Sequence, residues 1–252
     1  MSYFAYQGMR VYYQEYGEGT PWIFLHGNTA SSRMFEPLLP LYQSHGKIVL
    51  IDFLGNGQSE RLPAFPSDIW ADQGRQVVEL CRRLGYAKAN LVGTSGGAYA
   101  AIHAGFQAPE LFGKIVADSF DGSTLPNEFA RSMTEERRRA KADPSAREFY
   151  RWCQGEDWER VVDQDTEALV HLARRPGPLF PRPIGEIQCP LLVTVSREDE
   201  MLSGHCIEES KNWTVAAPQI TCRIFETGGH PLIYSQAEEL AALICDFFEE
   251  VP

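Results

Sequence analysis

The sequence predicts an α/β protein: a mostly parallel central sheet flanked by helices, carrying one helical insertion. Three observations predict it. Short apolar runs rich in β-branched and aromatic residues recur along the chain. They alternate with stretches of helical periodicity. Roughly residues 122–187 break that alternation with a polar, charged, helical stretch. Parallel strands need crossover connections, and helices supply them on the sheet faces.

Met9 to Tyr16 has strand character, and Gly17-Glu18-Gly19 turns it into a second run, Trp22-Ile23-Phe24-Leu25. Met34, Phe35, Leu38, Leu39 and Tyr42 then recur at helical spacing behind the possible caps Ser31 and Ser32. Ile48-Val49-Leu50-Ile51 is a continuous apolar run, as expected of a strand covered on both faces. A helix is expected from Ser67 through Val77, Leu80, Cys81 and Leu84 to a stop at Gly85. A short strand, Asn90-Leu91-Val92, leads into a helix whose small residues Ala98, Ala101 and Gly105 allow close approach to a sheet. Lys114 to Ala117, Leu191 to Val195 and Thr221 to Phe225 read as further strands. Ser235-Gln236-Ala237-Glu238 fits a capping box opening a last helix with Leu240, Leu243, Ile244, Phe247 and Phe248.

Residues 1–121 and 188–252 thus form the core domain, and 122–187 the insertion. A Pro-rich stretch, Pro176-Gly177-Pro178 to Pro181-Arg182-Pro183, closes it. The insertion reads as a lid over the sheet edge, since long inserted segments in compact domains are usually functional; the alternative is plain surface decoration.

Composition narrows the function. The 252 residues are 44% hydrophobic and 23% charged, enough for a sizeable core. A net charge of -11 repels phosphate backbones and anionic headgroups, so no nucleic-acid or membrane partner is expected. No run approaches the ~20 apolar residues of a membrane helix. The start, Met1-Ser2-Tyr3-Phe4, shows no secretory signal. Six cysteines form no C-x-x-C pair, and most read as small apolar core residues of a reduced, cytoplasmic protein. No metal or cofactor is expected. Nothing marks an oligomeric state.

Gly93-Thr94-Ser95-Gly96-Gly97 carries the chemistry. Alone the pattern is weak, but an apolar strand precedes it and a small-residue helix follows. A nucleophile elbow needs that arrangement, with the hydroxyl pushed out at the strand end beside a helix N-terminus. A plain Gly-rich strand-to-helix turn or a phosphate cradle is the competing reading. Serine needs a base, and of six histidines His230 stands out, in Thr227-Gly228-Gly229-His230-Pro231 just after a strand. His103 reads as structural, and His45, His171 and His205 as surface residues. The imidazole needs an acid. Asp199, in Ser196-Arg197-Glu198-Asp199-Glu200 after another strand, is the choice; Glu198 and Glu200 are its neighbours, and Asp118 and Asp121 the fallback acids. Oxyanion donors are expected from the backbone N–H groups of Asn28, in Leu25-His26-Gly27-Asn28, and Gly96. His26 reads as a loop brace.

With these pieces in order, the chain resembles the α/β-hydrolase superfamily. The matching motifs are His26-Gly27-Asn28, Asp52-Phe53-Leu54-Gly55-Asn56-Gly57-Gln58-Ser59, Gly93 to Gly97, Asp199 and Gly229-His230, spread over nearly the whole chain. The resemblance implies the α/β-hydrolase fold, a helical cap at 122–187 that shapes the pocket, and a structural loop at Asp52 to Ser59. Ser196 stands where the family often has Gly. His26 to Thr29 also resembles the haloalkane dehalogenase loop, but those enzymes use an Asp nucleophile where this chain has Ser95. The expectation is a serine hydrolase of a small carboxylic ester, working through Ser95, His230 and Asp199. The cap aromatics Phe129, Phe149, Tyr150, Trp152 and Trp158 are candidate pocket walls. Perhydrolysis, C–C, lactone or amide hydrolysis on the same residues stays open, as does a ligand-binding regulatory protein that keeps the triad.

Overall fold

The computed structural model describes residues 2–175 and 177–250; Met1 of the chain start and Pro176 of the Pro-rich stretch lie outside them. Eight strands form one sheet in the order β1-β2-β4-β3-β5-β6-β7-β8. β1 (Ser2–Tyr6) and β2 (Met9–Tyr16) make an antiparallel hairpin, which joins the sheet by an antiparallel pairing of β2 with β4 (Lys47–Asp52). From β4 the sheet continues in parallel through β3 (Pro21–Leu25), β5 (Ala89–Thr94), β6 (Phe112–Asp118), β7 (Leu191–Ser196) and β8 (Ile220–Phe225). The mostly parallel sheet is therefore the one expected, with β1 added at its edge.

The continuous apolar runs resolve into two alternating faces. Ile23, Leu25, Val49, Ile51, Leu91 and Ile115 point to one core; Trp22, Phe24, Ile48, Leu50, Val92 and Val116 point to the other. Each such side chain contributes about 1.5–3 kcal/mol by leaving water. A 3₁₀ segment, Ser32–Leu38, leads into the short α1 (Leu39–Tyr42), where a single longer helix was expected. Pro37 and Pro40 lack the N–H groups an α-helical ladder needs there. α2 (Ile69–Leu84) ends at Gly85, whose φ of 70° makes the left-handed stop. α3 (Gly96–Gln107) packs beside it. A Cβ on Gly74 of α2 would stand 2.9 Å from Cβ of His103, so glycine permits this close crossing.

Between β6 and β7 lie α4 (Phe129–Ala142), α5 (Pro144–Gln154) and α6 (Trp158–Ala173). Arg61 fastens this group: its guanidinium grips Asp157 through two 2.9 Å contacts and reaches the carbonyl of Gln154. Gln154 accepts from the N–H of Gly57 and donates to the carbonyl of Ala30, both at 2.7 Å. α7 (His205–Ala216) connects β7 to β8. α8 (Leu232–Ser235) and α9 (Ala237–Glu249) close the chain against the second core. The expected capping box does not form. Ser235 ends α8 instead, and its hydroxyl donates to the carbonyl of Gly229 at 2.6 Å. All six cysteines are unpaired, five buried and Cys222 half-buried. Among the described residues no helix is long and apolar enough to cross a membrane.

Candidate active site

Ser95 occupies the junction of β5 and α3 with φ 53° and ψ -123°. A non-glycine residue there costs on the order of 1–3 kcal/mol, so the surroundings must impose it. They do so by close approach. A Cβ on Gly93 would stand 2.1 Å from the carbonyl oxygen of Gly97, and one on Gly97 would stand 2.0 Å from that of Leu25. The Ser95 N–H donates to the carbonyl of Asp118 at 2.8 Å, and its own carbonyl accepts from Ala98 at 3.0 Å.

Three distant segments meet at this turn. The Ser95 hydroxyl donates to Nε2 of His230 over 3.0 Å. Nδ1–H of His230 donates to the Asp199 carboxylate, at 2.9 Å from Oδ2 and 3.1 Å from Oδ1. The Asp199 side chain is fully buried and that of His230 is 9% exposed, so the pair sits in a low-dielectric setting. Loops after β7 and β8 deliver the acid and the imidazole. Met201 N–H holds Asp199 Oδ1 at 3.0 Å, and Oε2 of Glu200 accepts from the His230 backbone N–H at 3.2 Å.

The fallback acids lie elsewhere. Asp118 is buried under β5, β6, β7 and α8, where it accepts from the hydroxyls of Thr94, Thr194 and Ser119 and from the N–H of Ile233. Burial raises its carboxyl despite those donors. Asp121 accepts from the N–H of Ser203 at 2.7 Å. Glu198 makes no contact with the imidazole; its N–H donates to the Ser196 hydroxyl. His26 braces the loop, as expected. Its Nε2 accepts from the N–H of Phe53, its Nδ1–H donates to the carbonyl of Gly27, and burial lowers it. His103 is buried on α3, and burial holds it near about 4. His45, His171 and His205 are exposed.

Asn28 and Gly96 come together. The Asn28 backbone nitrogen lies 3.1 Å from where a Cβ on Gly96 would stand. Neither N–H has an acceptor among the described residues, and Gly96 opens α3, whose dipole favours negative charge at that point. The Asn28 side chain is clamped: its Nδ2–H donates to Asp165 of α6 at 2.7 Å, and its Oδ1 accepts from Trp70 of α2 at 3.0 Å. Asp165 and Trp70 had no local signature in the sequence.

A cavity of about 600 Å³ opens over Ser95 and His230, walled by Met34, Ala140, Phe149, Tyr150, Trp152 and Tyr234, among others. A smaller one of about 50 Å³ flanks it, with Trp70, Tyr99, Phe120, Phe129, Met133 and Leu169 in its wall. Four of the five expected aromatics therefore line these spaces. Trp158 does not; it is buried behind Tyr150, with ring centroids 5.7 Å apart. Among the described residues no group of three or more His, Cys, Asp or Glu side chains is placed to hold a metal ion.

A strand-to-helix turn carrying a serine, with an imidazole and a carboxylate brought to it from later loops, defines the class of protein. The family model described as the alpha/beta hydrolase family matches residues 22–243, and the chain belongs to that family. It is similar to RutD, a hydrolase of Caulobacter sp. (strain K31), at 24% identity over 88% of this chain and 87% of that one. It is also 32% identical to the uncharacterized hydrolase YugF of Bacillus subtilis (strain 168) over 116 residues, 45% of this chain. That match spans only 42% of the length of YugF. An esterase from Exiguobacterium antarcticum superimposes with a TM-score of 0.76, at 17% identity over 96% of this chain and 97% of that one. The α/β-hydrolase fold expected from the motifs is the fold of this chain.

Proposed function

We propose that this chain is a serine hydrolase that cleaves a small carboxylic ester through an acyl-enzyme. The observation that carries the reading is the unbroken contact from Ser95 Oγ through His230 to Asp199. In this reading Ser95 attacks the ester carbonyl while His230 Nε2 takes the hydroxyl proton. Asp199, held against Nδ1–H, fixes the tautomer and stabilises the imidazolium that forms. The N–H groups of Asn28 and Gly96 receive the developing oxyanion. Collapse breaks the C–O bond, and His230 returns the proton to the leaving alcohol. Water then gives its proton to His230, attacks the acyl carbonyl and releases Ser95. Serine, imidazole and water carry every proton and electron pair, so the scheme calls for no cofactor.

The helices of residues 122–187 act in this reading as a cap. Their position between β6 and β7, and the place of Phe149, Tyr150 and Trp152 in the cavity wall, support it. A largely apolar cavity of this size suits a small acyl substrate. The buried free thiols support a reducing, cytosolic setting.

Covalent labelling with a fluorophosphonate, followed by peptide mapping, tests the reading. Label is expected on Ser95 and nowhere else. Ser95→Ala should abolish labelling and lower kcat on aryl esters by several orders of magnitude, ~10⁶ in a well-studied triad. Ester turnover that survives Ser95→Ala refutes the scheme.

A further inference from the structure

α4 carries three consecutive arginines, and they do not behave alike. Arg138 and Arg139 point to solvent and pair with Glu135 at 2.8 and 3.1 Å. Arg137, just before them, turns inward and is 8% exposed. A buried guanidinium is costly unless its donors are met, and it cannot shed its charge. Only Nη1 is met here: it lies 3.2 Å from the Tyr150 hydroxyl and 3.2 Å from Glu136 Oε2. Nε is sealed from solvent without a partner, and Nη2 has no acceptor among the described residues.

Arg137 lines both the larger and the smaller cavity, and both cavities also touch Ser95 and His230. Among the described residues lining them it is the only Lys or Arg. Its acidic neighbours offset the charge without filling the fork. Glu136 reaches only Nη1 and has a side chain 36% exposed. Asp165, buried on α6, spends Oδ2 on Asn28 and leaves Oδ1 without a partner. Asp121 lines the smaller cavity but accepts from Ser203. A planar cation with unfilled N–H groups, beside Ser95 in a largely apolar cavity, matches one ligand group best. That group is a carboxylate, which takes two guanidinium N–H groups at once.

We propose that the natural substrate of this hydrolase carries a free carboxylate, received by Arg137 while Ser95 acts on a carbonyl elsewhere in the same molecule. This rests on the serine-hydrolase reading and adds the substrate class. Because Arg137 borders both spaces, the carboxylate can belong to the acyl part or to the leaving group.

Two matched substrate pairs distinguish these: the 4-nitrophenyl monoester of glutaric acid against 4-nitrophenyl pentanoate, and 4-acetoxybenzoate against 4-methylphenyl acetate. The wild-type protein is expected to favour the anionic member of one pair in kcat/KM. Arg137→Met should lower that anionic-to-neutral ratio by about 10–100-fold, the size of a hydrogen bond to a charged group. Arg137→Lys, which keeps the charge but not the fork, should give an intermediate ratio. Neutral preference in both pairs, or a ratio that Arg137→Met leaves unchanged, overturns the proposal while leaving the hydrolase reading intact. Should the wild type turn over neither pair, the ester reading fails instead. Glutarate binding measured by calorimetry then decides the carboxylate site. Binding lost in Arg137→Met supports it, and no binding to the wild type overturns it.

Discussion

Asp165→Ala gives the sharpest test of how the oxyanion donor is held. In the proposed scheme Asp165 touches no reacting atom; it is a positioning residue acting through Asn28. Its Oδ2 accepts from Asn28 Nδ2 at 2.7 Å, while Trp70 holds the other end of the same amide at 3.0 Å. A hydrogen bond to a charged group contributes about 1.5–3 kcal/mol. The Trp70 bond survives the substitution, so Asn28 loses one of two restraints. The expected fall in kcat is therefore about 10–100-fold, below the ~10²–10³ that follows removal of a donor outright. KM should move by less than about threefold, because the restraint acts on charge that develops only in the transition state. Steady-state kinetics on a neutral aryl ester measures both. Asp165→Asn is the control: its amide oxygen accepts the same N–H, while the negative charge near Arg137 is gone. It should recover most of the lost kcat. Equal losses in the Ala and Asn variants, or a loss confined to KM, would refute the positioning argument.

Other substitutions probe the site and its support. Asp199→Asn should keep the fold and lower kcat by ~10⁴, read by kcat with thermal midpoints as the control. Gly97→Ala places a Cβ where the Leu25 carbonyl oxygen now lies 2.0 Å away, so the turn must shift by more than an ångström. A loss of ~10² in kcat with a lowered thermal midpoint is expected, and an unchanged midpoint would contradict the close packing. His103 supplies a pH test. Its burial sets a folded value near about 4 against 6.5, so the unfolded chain takes up its proton first as pH falls. The native state should thus lose stability from pH 6.5 downward, by about 3 kcal/mol once below the folded value. Urea midpoints of wild type and His103→Gln between pH 8 and 4 should diverge accordingly. Parallel curves would show that His103 is not the buried neutral ring described.

Most of the sheet was legible because its interior strands are apolar on both faces, as at Ile48 to Ile51. β1 has no such run: only Phe4 and Tyr6 of its five residues are buried. The helix over Met34 to Tyr42 had the right apolar spacing, but spacing does not register two missing N–H groups at Pro37 and Pro40. Ser235 had the letters of a cap and serves the preceding turn instead. Ser95, His230 and Asp199 have a local signature, since each follows a strand and glycines stand beside the first two. Asp165, Trp70 and Arg137 have none. Each sits on a helix among charged or aromatic residues, with nothing local to tell it from a solvated or packing position. They come to the site only through the packing of α2, α4 and α6 around it.

The torsion at Ser95 has a consequence for how such a chain trades its virtues. Glycine would accept φ 53° without penalty, so a search for thermal robustness alone would discard the hydroxyl. In the serine-hydrolase reading, a serine kept in that posture gives up durability for reactivity.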